Sequence, residues 1–163
     1  VANDSGPHIG TNLVDYGMGL SIPLLTAAGI GYGAGAAGKI STSGGNLSVA
    51  SAGYYLINAN TVTNDYSATK TTWGVVGAFS GWGGNPDTQL TYSNGKWTGT
   101  LVLSAESELK FRANSDWGIN LGDDGGDGVL EAGGANVKLV AGTYSVVLNL
   151  SNAGYYTYSF TKQ

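Results

Sequence analysis

From Trp73 onward the chain runs in short blocks of alternating apolar and polar residues separated by Gly, Asn, Asp and Pro, a two-residue period that predicts strands rather than helices. The blocks are Trp73–Phe79, Lys96–Leu103, Glu108–Ala113, Val137–Val140, Thr143–Leu150 and Tyr155–Thr161. In the fifth block Tyr144, Val146, Leu148 and Leu150 fall on one face, and in the sixth Tyr156, Tyr158 and Phe160 do. Asn94-Gly95, between Leu90-Thr91-Tyr92 and Lys96-Trp97, is a two-residue hairpin signal. Regularly spaced short strands with turn chemistry between them predict an all-β chain built as an antiparallel β-sandwich. Trp73 and Trp97, set among apolar neighbours, are expected in its core.

A second pattern spans the whole chain. Ile30, Gly33, Gly44, Gly45, Gly53 and Tyr55 reappear as Ile119, Gly122, Gly133, Gly134, Gly142 and Tyr144, at a constant offset of 89. Gly-Gly followed eight residues later by Gly-x-Tyr opens an alternating strand both times, which predicts two related modules, residues 1–69 and 70–163. Counting back by the same offset puts the counterparts of the strands at 73–88 ahead of Val1. The first module is therefore expected to be incomplete, its missing strands rebuilt by residues before Ile30 or supplied by another chain.

Composition narrows the chemistry. The 163 residues include 28 Gly, no Cys and one His, with 7 Lys and Arg against 11 Asp and Glu. A net charge of −4 without a basic cluster argues against nucleic acid and anionic membrane surfaces as partners. With only 11% charged residues, the surface has to be covered by Thr, Ser, Asn, Gly and aromatics, a balance expected of an extracellular or outer cell-surface β protein. Leu20 to Ile30, the most apolar stretch, is broken by Pro23 and Gly29 and is too short to span a bilayer. The chain begins without Met and without a basic and then apolar leader, the expectation for a mature or trimmed chain. His8 lies in a Gly- and Pro-punctuated segment, and no G-x-S-x-G, C-x-x-C, H-E-x-x-H or P-loop is present, so no catalytic residue is assigned and the chain is not expected to be an enzyme.

The run Phe111–Gly125, Phe-Arg-Ala-Asn-Ser-Asp-Trp-Gly-Ile-Asn-Leu-Gly-Asp-Asp-Gly, with Leu-Glu-Ala-Gly-Gly-Ala-Asn-Val after it and Ala-Gly-Thr-Tyr beyond, resembles the modules of the SusE/SusF family, starch-binding surface lipoproteins of Bacteroidota. Val-Val-Gly-Ala-Phe-Ser-Gly-Trp, ending at Trp82, is similar to the opening of those modules. The resemblance covers about 70–163 well and 30–69 weakly. It implies tandem immunoglobulin-like sandwiches that bind α-glucan polysaccharide and carry no catalytic machinery. It also implies Trp82 and Trp117 as stacking platforms and Arg112 as a hydroxyl donor, with Lys110 and Asn114 beside it.

The residues carry part of this themselves. Alternation sends Leu109, Phe111 and Ala113 inward and Lys110, Arg112 and Asn114 outward, on a strand leading to Trp117. An indole covers the apolar face of a pyranose while guanidinium and amide groups take its hydroxyls. Competing readings make Trp82 a loop anchor and pair Arg112 with Asp116 or Glu108. The first module has Thr26-Ala27-Ala28-Gly29 where the second has Ser115-Asp116-Trp117-Gly118, so it lacks a platform.

Asp123-Asp124-Gly125-Gly126-Asp127-Gly128 raises a calcium reading, with Asp123 and Asp127 at positions 1 and 5 of an EF-hand-like loop. Gly125 and Gly134 stand where two further ligands are needed, and a Gly-Asp hairpin tip explains the same residues. No other cofactor is expected. Two carboxylates in one loop do not face each other across a cleft as a glycosidase requires. The rival to glycan binding is a structural subunit of an extracellular filament or surface assembly, joined to copies of itself by strand complementation through the edges of residues 1–69. Ala27 to Ala37, flat and rich in small residues, suits close packing between chains.

Overall fold

The computed structural model describes residues 8–16, 21–22, 25–27, 30–45, 47–49, 51–60, 62–152 and 154–163, with side chains from residue 35 onward except Ser48. The His8 side chain, residues 28 and 29, and the side chains of 27 and 30–34 in the small-residue stretch therefore lie outside what is described. The chain divides into two compact units, Val1–Thr71 and Thr72–Gln163. Among the described residues its regular structure is antiparallel strand apart from one short 3-10 segment, and no helix is long and apolar enough to cross a membrane.

The first unit holds β1 (His8–Tyr16), β2 (Ser21–Ile22), β3 (Leu25–Ala27), β4 (Ile30–Ala34), β5 (Ile40–Ser41), β6 (Leu47–Ser48), β7 (Gly53–Asn60) and β8 (Tyr66–Thr71). The second holds β9 (Trp73–Gly77), a 3-10 segment (Ala78–Gly83), β10 (Thr88–Gln89), β11 (Thr91–Ser93), β12 (Lys96–Leu103), β13 (Ser107–Ala113), β14 (Asn120–Gly122), β15 (Val129–Ala132), β16 (Val137–Leu139), β17 (Gly142–Asn149) and β18 (Tyr156–Lys162). Its strands pair in the order β10-β9-β13-β14-β15-β18-β17-β12-β11, with β16 also on β13. The two ends of this path fold over one another as a sandwich. Phe111 of β13 stacks on Phe160 of β18 at 5.7 Å between ring centroids, and Tyr144 of β17 meets the same ring edge-on.

Alternation explains the core. Tyr144, Val146, Leu148 and Leu150 are all buried, as the period-two reading requires, and so are Trp73 and Trp97. Asn94 and Gly95, at φ 52° and 78°, close the β11–β12 hairpin as a two-residue turn of positive φ. The block expected to run to Phe79 stops at Gly77, where the chain turns into the 3-10 segment. Three short strands, β10, β14 and β15, were not expected, because two to four residues between Gly- and Asp-rich loops leave no alternation to read.

The two units share one hairpin design. Tyr55 donates its hydroxyl to the carbonyl of Ser51 at 2.7 Å and Tyr144 to that of Val140 at 3.0 Å, a tyrosine-corner bond in each. Tyr55 lies opposite Lys70, and Tyr144 opposite Lys162. Each lysine reaches across the glycine of the Gly-x-Tyr phrase to the preceding carbonyl, Ala52 at 2.7 Å and Ala141 at 2.9 Å. A Cβ at Gly53 would lie 2.5 Å from Lys70 Cε, and one at Gly142 2.6 Å from Lys162 Cε, so in both units the end of the lysine lies over the bare glycine. Tyr-Ser-Ala-Thr-Lys at 66–70 matches Tyr-Ser-Phe-Thr-Lys at 158–162, at an offset of 92 that a constant 89 conceals.

Candidate functional site

Arg112 sits on β13 opposite Gly74 of β9, and Gln89 of β10 pairs with Gly74 from the other side. The glycine leaves the strand between them bare, since a Cβ there would stand 3.0 Å from Asp87 Cβ. Arg112 meets Asp87 in a forked pair, with Nε donating to Oδ2 and Nη2 to Oδ1, both at 2.8 Å. The side chains are 5% and 0% exposed. Arg112 is thus on the outward face that alternation predicts, but buried rather than presented to solvent. Its partner is neither Asp116 nor Glu108. The bond to Asp87 raises its affinity for its proton, and burial opposes this.

The indole of Trp117 covers the guanidinium, with Arg112 Cζ 4.8 Å from the ring centroid, a cation–π contact. Trp117 is 43% exposed. Trp82 lies beside it, the centroids 6.1 Å apart and the planes inclined by 40°. Trp82 holds φ 54° and ψ 40°, the left-handed region that a bulky residue rarely occupies. Such strain persists only where the surroundings impose it, and it clusters at functional sites. Here the loop is tied down from several directions. Ser80 is buried and its hydroxyl donates to the Gly77 carbonyl at 3.1 Å, Phe79 N–H donates to Ser107 Oγ at 3.1 Å, and Asn85 N–H donates to the Ser80 carbonyl at 2.9 Å. Gly83, at φ 99°, lies against the guanidinium, and a Cβ there would be 2.7 Å from Arg112 Nη2.

A recess of about 310 Å³ is lined by Gly83 to Asp87, Arg112 and Ser115, and neither indole is part of its wall. Asn85 and Ser115 are exposed, and Gln89 Nε2 donates to Ser115 Oγ at 3.5 Å. The recess offers neutral amide and hydroxyl groups, and the guanidinium in its wall, which Trp117 covers, is already matched by a carboxylate.

Of the residues singled out in the sequence, Trp82, Arg112 and Trp117 come together. Lys110 is half-buried, which lowers its pKa, and Asp124 opposes that shift. Asn114, at φ 56°, follows the last residue of β13, and its Oδ1 accepts the N–H of Thr72 at 2.8 Å and the Thr72 hydroxyl at 3.3 Å. That carbonyl fastens the chain leading into β9. Asp87, Asn85 and Ser115 were missed: the link from Asp87 to Arg112 spans 25 residues and is created by sheet register.

The acidic loop is organised by Asp123, which is buried. Its carboxylate accepts N–H bonds from Gly126 at 2.9 Å, Asp127 at 3.1 Å and Gly128 at 3.0 Å, and the Tyr158 hydroxyl at 2.8 Å. Burial pushes the Asp123 pKa up, but Tyr158 and the three backbone donors together outweigh it and hold the group below the usual carboxylate range. Asp127 Oδ1 accepts from Val129 N–H at 2.9 Å. Among the described residues, no three His, Cys, Asp or Glu are grouped to hold a metal ion.

No family model matches this chain, and no curated protein matches it. Among solved structures, the crystal structure of SusF from Bacteroides thetaiotaomicron is similar at 19% identity and a TM-score of 0.41, the match covering 82% of this chain and 36% of that one.

Proposed function

We propose that the second unit is a non-catalytic, polysaccharide-binding module acting outside the cell or on its outer surface, and that α-glucan chains stack on the Trp82–Trp117 pair. The observation that carries this reading is the platform itself. Two indoles stand side by side, one on a strained left-handed backbone and the other laid over a buried ion pair. Pyranose rings present flat C–H faces to such a surface, and Asn85 and Ser115, in the recess that Arg112 also lines, offer groups for their hydroxyls. The Phe111–Gly125 run that resembles SusE/SusF modules supports the same reading. Arg112 then serves as a positioning residue that fixes Trp117, since Asp87 already takes its fork.

Affinity electrophoresis through amylopectin tests the proposal. The full chain should be retarded relative to a gel without polysaccharide, and Trp117→Ala should migrate freely in both. Loss of the cation–π contact at a half-exposed site costs roughly 0.5–1 kcal/mol, so this variant should melt within a few degrees of the parent. Unchanged retardation of Trp117→Ala refutes the site, and a collapsed melting transition assigns Trp117 a folding role instead.

A further inference from the structure

We infer, resting on the glycan reading of the indole pair, that Ser80 is the positioning residue of that pair. It holds Trp82 in the left-handed region, so that the two rings stand together before any ligand arrives.

Gly81, Trp82 and Gly83 form an unbroken left-handed run, at φ 61°, 54° and 99°. Glycine enters this region without penalty and other L-residues do not, so the cost of the run falls on Trp82. Glycine on both sides also gives the segment the widest backbone freedom a chain has. These three residues cannot fix the indole by themselves. Its place beside Trp117, with the centroids 6.1 Å apart, has to be imposed from outside the run. Among the described residues of the second unit, the other non-glycine residues at positive φ are Asn94, Asn114 and Ser115. Asparagine tolerates the region, and Asn94 belongs to the β11–β12 turn. The two residue types that resist it, Trp82 and Ser115, lie in the two loops that bear the indoles.

The ties that impose the run meet in Ser80. Its hydroxyl donates to the Gly77 carbonyl at 3.1 Å and accepts the Gly77 N–H at 3.2 Å, while its carbonyl accepts the Asn85 N–H at 2.9 Å. One residue thereby joins the start of segment 77–85 to its end, with the left-handed run enclosed between them. Gly77 is itself fixed, since it pairs with Leu109 of β13 and a Cβ there would fall on the Glu108 carbonyl. Ser80 is 2% exposed, so water does not compete for its bonds. Asn85, at the far end of the tie, lines the recess, so the same residue places both the Trp82 backbone and an amide that the glycan reading uses.

An L-residue in the left-handed region carries a population penalty of roughly 5- to 30-fold. Without the Ser80 hydroxyl, Trp82 should leave that region in most molecules. The apparent dissociation constant for glycan should then rise in inverse proportion to the fraction that keeps the pair.

Two measurements on the full chain, parent and Ser80→Ala, test this: nuclear Overhauser effects between the Trp82 and Trp117 rings without sugar, and titration with maltoheptaose. In the parent the ring-to-ring effects should be present before sugar is added. In Ser80→Ala they should weaken at least about fivefold, and the dissociation constant should rise at least about fivefold. Absence of the effects in the sugar-free parent overturns the inference, as do unchanged effects in Ser80→Ala or, where the parent binds, unchanged affinity. Unfolding of the second unit in Ser80→Ala overturns it too, by giving Ser80 a folding role. A parent that binds no maltoheptaose refutes the glycan reading, and the ring-to-ring effects then decide the role of Ser80 alone. Trp82→Gly against Trp82→Ala reads the backbone separately. The equilibrium constant for unfolding should be at least about fivefold smaller for the glycine variant, the reverse of the ordinary preference, and an alanine variant of equal or greater stability overturns the left-handed hold.

Discussion

Removing the Asp87 carboxylate strikes the support of the aromatic platform without touching either ring. Asp87→Ala leaves a guanidinium that is 5% exposed facing a site from which two 2.8 Å acceptors have gone. Breaking a buried pair by deleting one partner costs about 3–5 kcal/mol, because the remaining charge is neither solvated nor matched. For a unit of about 90 residues, where 1 kcal/mol moves the midpoint by roughly 4–8 °C, the second unit should melt at least about 12 °C lower. The double variant Asp87→Leu with Arg112→Met removes both charges and should recover most of that loss, since apolar replacement of a buried pair is often neutral or stabilising. It should not recover retardation in amylopectin, because Trp117 then has no cation beneath it. Calorimetry on the full chain, with affinity electrophoresis alongside, reads both quantities. A drop of only a degree or two in Asp87→Ala refutes the buried pair, and full sugar retention by the double variant refutes the positioning role of Arg112.

Two further outcomes follow from the same geometry. Gly83→Ala places a side chain in the left-handed region and against Arg112, so it should lose at least about 1–2 kcal/mol in thermal or urea unfolding and weaken glycan retention with it. Asp123 has a depressed pKa in the folded chain, so an unfolded chain takes up its proton first as the pH falls. Its stabilisation is fully present above the ordinary value of 3.8 and is lost as the pH drops through the lower folded-state value. Unfolding free energies measured between about pH 4 and pH 2 should fall more steeply for the parent than for Asp123→Asn.

How much of this was legible in the sequence differs from element to element. Strands long enough to alternate were readable, and β12 and β17 lie where their side-chain pattern put them. The Gly-x-Tyr phrase marked equivalent strands because in both units a lysine crosses over the glycine and the tyrosine makes the corner bond. The matching Tyr-Ser-x-Thr-Lys segments escaped because the preceding loop differs in length and shifts the offset. Trp82 and Trp117 could be told from Trp73 and Trp97 by their Gly- and Ser-rich surroundings. The burial of Arg112 could not be read, because it depends on Gly74 lying between Arg112 and Asp87 in a three-strand register that no local pattern encodes.

The four tryptophans provide the most direct test of the central claim, because each carries one indole N–H that gives its own resonance in a nitrogen-labelled chain. Titration with maltoheptaose, followed in that region of the spectrum, should shift the signals of Trp82 and Trp117 together along one saturable curve. The signals of Trp73 and Trp97, buried in the core, should stay in place. Four unmoved resonances at millimolar sugar, or shifts confined to Trp73 and Trp97, would contradict glycan binding at this platform.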